Sequence, residues 1–401
     1  MWDIEPSIQH YAWGDTHALP QFLGRPVDGT TPWAEAWYGA HPSAPSMLDD
    51  GRTMEQAITA RPGAILGEGY DRLFRGRLPY LLKVIAPAKP LSLQVHPTRE
   101  HAAESFAAEN AAGLALDDPA RNYRDDNHKP EMLLAMTRFE AVCGFRTPRR
   151  AIQILDGLNT PLTDRLHDLL VASPTAHGMR AAFRTLVSAT MRPDAERVSA
   201  VAAACAARLE AGASPSPRID RIVGLMQEHF PGDPGVVAAL LLNPVTLYPG
   251  EAMYVPAGVI HAYISGTGVE IMAASDNVLR AGLTPKKVDA DEMLQCVSVV
   301  AAPPVRVAPE TVSEHSVAYY APVDDFELTL TSVMDPRGSF QPRHRVPGSG
   351  PRILLALEGE VMVQCGTGRR MLSAGHALLV PAEAGDVHVG GYGRVIQASV
   401  P

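Results

Sequence analysis

The stretch Gly250-Glu251-Ala252-Met253-Tyr254-Val255-Pro256-Ala257-Gly258-Val259-Ile260-His261 constrains this chain more than any other part of it. Its spacing is G-x5-P-x-G-x2-H: an apolar run, a Pro-x-Gly reversal, then a histidine at the head of the next run. Proline and glycine so placed make a tight turn between strands. A histidine just beyond such a turn can present a ring nitrogen to a metal. A second fragment has matching chemistry. In Leu91-Ser92-Leu93-Gln94-Val95-His96-Pro97, alternation sends Leu91, Leu93 and Val95 to one strand face and Ser92, Gln94 and His96 to the other. Gln94 and His96 can then both reach one metal, although glutamine alone is a weak ligand. For this fragment taken alone, a solvated strand edge is the competing explanation.

Composition supports a packed chain around these fragments. At 401 residues, with 46% hydrophobic and 20% charged side chains, the chain is long enough for two or three domains. A net charge of −9 argues against a general nucleic-acid binder, so any anionic ligand must meet a local cluster of Lys and Arg. Cys143, Cys205, Cys296 and Cys365 show no C-x-x-C spacing and read as reduced packing thiols. Residues 1–15 lack a basic segment followed by an apolar stretch, and no apolar run approaches the roughly 18 residues of a membrane span. The expectation is a cytoplasmic protein without membrane contact.

The chain changes character along its length. Residues 1–148 carry short apolar runs between Pro and Gly punctuators, a β pattern with its clearest strands at Leu81 to Ala86 and Leu91 to His96. A polar, Ala-rich helical insertion interrupts it at about 98–115, with Thr98 able to cap. Residues 149–242 are rich in Ala, Leu, Arg and Asp, which predicts a helical domain. Strand chemistry resumes over 243–300, with a short helix near Asp289 to Val297. After the linker-like Ala301-Ala302-Pro303-Pro304, residues 301–401 form a further β unit.

The Gly250-to-His261 pattern resembles the second cupin motif. On simple cupin spacing, Glu100 would be the carboxylate ligand. Asp125-Asp126-Asn127-His128-Lys129-Pro130-Glu131 offers a rival, because Glu131 stands at the entrance of the apolar run Met132 to Ala135. A third fragment, Gly268-Val269-Glu270-Ile271-Met272-Ala273-Ala274-Ser275-Asp276-Asn277-Val278-Leu279-Arg280-Ala281-Gly282, completes a pattern. Together with Tyr11-Ala12-Trp13-Gly14 and Ala34-Glu35-Ala36-Trp37-Tyr38-Gly39-Ala40-His41-Pro42-Ser43, these fragments closely resemble the type I mannose-6-phosphate isomerases over about residues 2–290.

The resemblance implies a mainly β fold of two cupin-type, jelly-roll-like barrels with an inserted α-helical domain, the first barrel catalytic. It implies one zinc ion per chain on Gln94, His96, Glu131 and His261, which decides the carboxylate in favour of Glu131 over Glu100. It implies an isomerase that interconverts mannose 6-phosphate and fructose 6-phosphate through an enediol, with Arg280 holding negative charge. The base stays open among His128, Lys129, Glu270 and Asp276. Ser92, Lys83, Tyr263 and Lys286 are the substrate-binding candidates. Lys83 could instead snorkel from an apolar strand, Glu270 could support a metal-bound histidine, Trp13, Trp33 and Trp37 read as core, and His41 reads as a turn residue. Ile271 and Leu279 depart from the family's usual Cys and Val, both apolar exchanges. In the C-terminal unit Gly375 and Pro381 keep the turn spacing, but Glu383 and Asp386 replace the turn glycine and the metal histidine, so that barrel is expected to hold no metal. The expected partner is a sugar phosphate alone, and the expected state is a monomer. Two rivals remain on the residues: an iron site of His96, His261 and Glu131 for oxygen chemistry, and a sugar sensor without turnover.

Overall fold

The computed structural model describes residues 1–334 and 340–401. Among these residues, alternation along the strands sorts side chains into layers. Seven strands form one antiparallel sheet in the order Val305–Val307, Ala252–Val255, Glu131–Ala135, Gly268–Ala273, Tyr80–Ile85, Glu35–Tyr38 and Ser7–Gln9. Five form a second: Leu279–Gly282, Leu93–Val95, His261–Ser265, Phe139–Phe145 and Leu242–Leu247. These two sheets face one another, because Leu133, Ala135, Met253 and Val255 of the first share a core with Phe139, Ala141, Val245 and Tyr263 of the second.

Each sheet buries its other face elsewhere. Leu93, Val95, Ala262, Ile264, Leu279 and Ala281 pack under the helices that run from Pro148 to Ala238. Thr147, Thr160, Thr175 and Asp194 cap four of these helices through their side chains. On the far side, Leu82, Val84, Met132, Leu134, Val269 and Ile271 pack against Leu328, Ile353, Leu379 and Ile396 of a ten-stranded sheet. The substituted Ile271 and Leu279 thus lie in these outer cores. The order of layers is helices, five-stranded sheet, seven-stranded sheet, ten-stranded sheet.

The insertion is the helix Arg99–Ala111, capped by Thr98, and the short helix is Ala290–Cys296, capped by Asp289. Three strands cross the boundaries read from composition. Trp2–Glu5 pairs with Ala377–Val380, and Met47–Leu48 pairs with Trp2–Glu5, so both extend the ten-stranded sheet and not the sheet of Ser7–Gln9 and Glu35–Tyr38 between them. Val305–Val307 pairs with Ala252–Val255, which places it in the seven-stranded sheet although it follows the linker. In the ten-stranded unit Glu383 pairs with Arg61 at 2.9 Å and Asp386 with Arg345 at 2.9 Å. No helix among the described residues is long and apolar enough to cross a membrane.

A buried ion pair lies within the helical layer. Asp220, 2% exposed, accepts from Arg208 Nε at 2.7 Å and Nη2 at 2.6 Å, and from the Ser214 hydroxyl at 2.5 Å. Arg208 Nη1 also reaches the Ile154 carbonyl at 2.8 Å. Removing one partner leaves a buried charge uncompensated. Asp220→Ala should therefore cost about 3–5 kcal/mol in urea unfolding. A loss below about 1 kcal/mol would mean that the pair behaves like an exposed one.

Candidate metal centre

Strand parity builds the space between the two facing sheets. Alternation that sends Leu82, Val84, Met132, Leu134, Val269 and Ile271 outward turns Lys83, Glu131 and Glu270 inward. On the opposing sheet it sends Leu93, Val95, Ala262 and Leu279 outward and turns Gln94, His261, Tyr263 and Arg280 inward. His261 and Arg280 flank Gln94 in register, one on each neighbouring strand. The polar residues of both sheets therefore meet in one interior.

The Pro256-to-His261 turn places two of the donors. Gly258 has φ +80°, a left-handed conformation that costs a glycine little, and its N–H donates to the His96 carbonyl at 2.8 Å. His96 and His261 are 1% and 0% exposed and Glu131 is 2% exposed. His96 Nε2 lies 3.3 Å from Glu131 Oε1, and His261 Nε2 lies 3.1 Å from Glu131 Oε2. One ion with bonds of about 2 Å could bridge either gap.

Hydrogen bonding fixes which ring nitrogens are free. His96 Nδ1 meets the Asn277 carbonyl at 2.7 Å and His261 Nδ1 meets the Val259 carbonyl at 3.0 Å. A carbonyl only accepts, so both Nδ1 atoms carry the proton and both neutral rings turn an Nε2 lone pair toward the carboxylate. His96 Nε2, His261 Nε2 and Glu131 Oε2 are buried without a hydrogen bond. Lone pairs facing lone pairs repel unless a cation lies between them, so this donor set fits a divalent metal with nitrogen and oxygen preference. The cluster His101, Glu292 and Cys296 is different in kind. There Glu292 Oε1 lies 2.7 Å from His101 Nε2 and accepts from Tyr123 Oη at 2.5 Å, so its donors satisfy one another.

A charged lining surrounds the donors. Lys129 Nζ is 3.2 Å from Glu131 Oε1. Lys83, 5% exposed, lies 3.4 Å from Glu270, 3.6 Å from Glu35 and over the Trp37 ring at 4.8 Å, so it is enclosed and does not snorkel. Burial opposes its charge, but Glu35 and Glu270 outweigh that and hold the ammonium well above its usual range. Burial and the Glu131 charge raise the Glu270 carboxyl, against Lys83. The Tyr263 hydroxyl is buried without a partner, and burial with the Glu270 charge pushes its pKa well up. Burial and then the Arg124 charge lower the Arg280 guanidinium, and burial and then the Arg280 charge lower the Lys286 ammonium, whose Nζ lies 5.7 Å from the Tyr11 ring.

Other candidates are engaged elsewhere. His128 Nε2 meets Asp325 Oδ2 at 2.9 Å, and Asp276 Oδ1 meets His41 Nε2 at 3.3 Å. Burial would raise Asp276, but the hydrogen bond and charge of His41 prevail and lower it. His41 is thus a buried partner to Asp276 and more than a turn residue. Ser92 is half-buried, and Glu100 is exposed in the first turn of its helix. Glu35 and Arg124 are additions that residue patterns did not single out. Glu35 stood within a quoted motif, and its inward parity beside Trp37, whose Nε1 donates to it at 2.6 Å, was the available signal.

Burial holds the His96 imidazole down at about 4, although the Glu131 charge pulls the other way. An unfolded imidazole takes a proton near 6.5. Between those values the unfolded chain binds more protons, so the metal-free fold loses stability as pH falls through this window. His96→Asn removes that component. Urea midpoints of the metal-free variant should fall less steeply from about pH 6.5 to about pH 4 than those of the wild type; equal slopes would mean an ordinary imidazole.

Comparison with known proteins agrees with this geometry. Residues 1–148 match the family described as phosphomannose isomerase type I, catalytic domain. The mannose-6-phosphate isomerases of Escherichia coli (strain K12) and Salmonella typhimurium are 34% and 36% identical to this chain, over 97% of it and 97% of their own length. Mannose-6-phosphate isomerase 1 of Arabidopsis thaliana is 33% identical over 96% of this chain and 89% of its own. A crystal structure of the Salmonella typhimurium enzyme bound to its substrate F6P and zinc superposes with a TM-score of 0.89 at 34% identity, covering 100% of this chain and 99% of that one. With relatives this similar along nearly its whole length, the chain belongs to the type I mannose-6-phosphate isomerase family.

Proposed function

We propose that this chain interconverts mannose 6-phosphate and fructose 6-phosphate, with one zinc ion held by His96, Glu131, His261 and Gln94. The observation that carries the reading is the buried set of two imidazole nitrogens and a carboxylate oxygen with no hydrogen-bond partner. Family membership and the zinc and sugar phosphate in the Salmonella typhimurium structure support it. Zinc, when bound, supplies a Lewis acid that polarises a sugar oxygen.

The chain's own residues do the rest. An aldose and a ketose differ in oxidation at adjacent carbons, so a proton must move between C2 and C1 while negative charge on oxygen is stabilised. Arg280, with Arg124 and Lys286 in its field, is a fixed cation for the enediolate or the phosphate. Lys83 stays an ammonium and serves binding, not proton transfer. Tyr263, on the inward parity, and Ser92 complete the proposed substrate lining. Of the four base candidates, His128 and Asp276 are occupied by Asp325 and His41. The proton is assigned to Lys129 Nζ or a Glu270 carboxylate oxygen, each close to the donor set in charge or distance. Solvent exchange at C2 in Lys129→Gln and Glu270→Gln separates them, because the true base loses exchange and turnover together.

The same reading takes the seven- and five-stranded sheets as the two walls of a cupin-type catalytic barrel formed from 1–148 and 243–300. Residues 149–242 are then its helical insertion, and 301–401 a second barrel of the same kind. The reading takes a monomer in a reducing cytoplasm as the working unit, with Cys143, Cys205, Cys296 and Cys365 as free thiols.

Purified protein should contain about one zinc per chain and isomerise mannose 6-phosphate in a coupled assay until chelated. Glu131→Ala should strip the metal, whereas Glu100→Ala should keep it. The reverse would return the carboxylate to the simple cupin spacing. Arg280→Ala should retain zinc and fold but lose roughly 100-fold or more in kcat, and near-normal turnover would remove its assigned role.

A further inference from the structure

The C-terminal unit places one buried carboxylate against the catalytic half. Asp325 lies in the loop between Ser316–Tyr320 and Glu327–Met334 and is 2% exposed. Its neighbour Phe326 is fully buried in the core shared by the ten- and seven-stranded sheets, which fixes the loop. Both Asp325 oxygens accept from Arg99 Nη2, at 3.1 and 3.2 Å, and His128 Nε2 lies against the same Arg99 Nη2 and 2.9 Å from Asp325 Oδ2. Leaving a side chain this deeply buried without such partners is costly.

The position of those partners in the chain gives the contact its meaning. Arg99 is three residues after His96, and His128 is three residues before Glu131. Asp325 therefore ties together the two segments that deliver these donors. The opposite side of the same loop is also held. Asn277 Nδ2 donates to the Asp125 and Asn127 carbonyls at 2.8 and 2.9 Å, while the Asn277 carbonyl orients His96. The segment leading to Glu131 is thus clamped between Asn277 on one side and Asp325 on the other.

We propose that Asp325 is a positioning residue for the metal centre, through which the C-terminal unit sets the spacing of the segments bearing His96 and Glu131. The inference rests on the zinc isomerase reading above. A stabilising salt bridge between units would lower stability when lost but would leave the metal's surroundings alone. Positioning acts on the metal itself, and loss of groups that orient metal ligands commonly costs about 10–100-fold in metal affinity or activity.

The test compares Asp325→Asn with Tyr319→Phe in the full-length zinc-loaded protein. Tyr319 Oη donates to the Gly250 carbonyl at 2.9 Å, so its variant removes another contact between the units without touching either ligand segment. Asp325→Asn should release zinc to a chelator about 10-fold faster, shift the visible absorption bands of the cobalt-substituted protein, and lower kcat more than it raises KM. Tyr319→Phe should lower the urea midpoint and leave release rate and cobalt spectrum unchanged. If Asp325→Asn does not fold, Arg99→Gln, changed at a half-exposed side chain, should move the same readouts in the same direction. Wild-type release and spectrum in the carboxylate variant, or equal changes in both interface variants, would overturn the inference. Wild-type protein that neither binds zinc nor isomerises would instead overturn the functional reading beneath it.

Discussion

A carboxylate and two neutral imidazoles sit in an apolar sandwich with no proton to share among them, and most of the catalytic half is arranged around that constraint. Burying Glu131 beside two Nε2 lone pairs is adverse in isolation. Lys129 relieves part of it, and a divalent cation relieves the remainder. The Asn277 and Val259 carbonyls hold the adverse arrangement in place by claiming each Nδ1 proton. Without those two acceptors either ring could flip or change tautomer and the donor set would disperse.

The same interior carries a row of charged groups leading away from the metal donors. Glu131, Lys83, Glu270 and Glu35 lie on three neighbouring strands and the next one out, all on the inward parity. Glu270 and Lys83 are direct cross-strand partners, and Lys83 is opposite Trp37 on its other side. Such a row keeps the interior polar enough for a phosphosugar while the outward parity remains wholly apolar. The sheet can therefore be sandwiched on both faces and still enclose a reactive space.

Local patterns were the part of the candidate site most open to reading. Alternation in Leu91 to His96 put Gln94 and His96 on one strand face, and the Pro256-Ala257-Gly258 turn marked His261, while the resemblance joined them into one set. Glu131 was legible as a carboxylate at a strand entrance. Lys83 was ambiguous from its strand alone, since an apolar run does not say whether one or both faces are covered. Contacts between distant segments were illegible: His128 meets Asp325 across 197 residues and His41 meets Asp276 across a similar gulf, with nothing in either neighbourhood to announce the pairing. The broad division into β and helical stretches followed composition. The three boundary-crossing strands did not, because two to four residues carry too little periodicity to name a partner sheet.

The pairing of Trp2–Glu5 with Ala377–Val380 bears on how the molecule is made. Trp2–Glu5 has only the two residues Met47–Leu48 to pair with, and Ile4 no closed core, until Ala377–Val380 has been synthesised. Only then can the shared core between the ten- and seven-stranded sheets close around it. Pairing at this sequence separation is slow, and an exposed strand invites the wrong neighbours in the meantime. Trp2–Glu5 and Ala377–Val380 thus act as one latch, and loss of either strand releases the other.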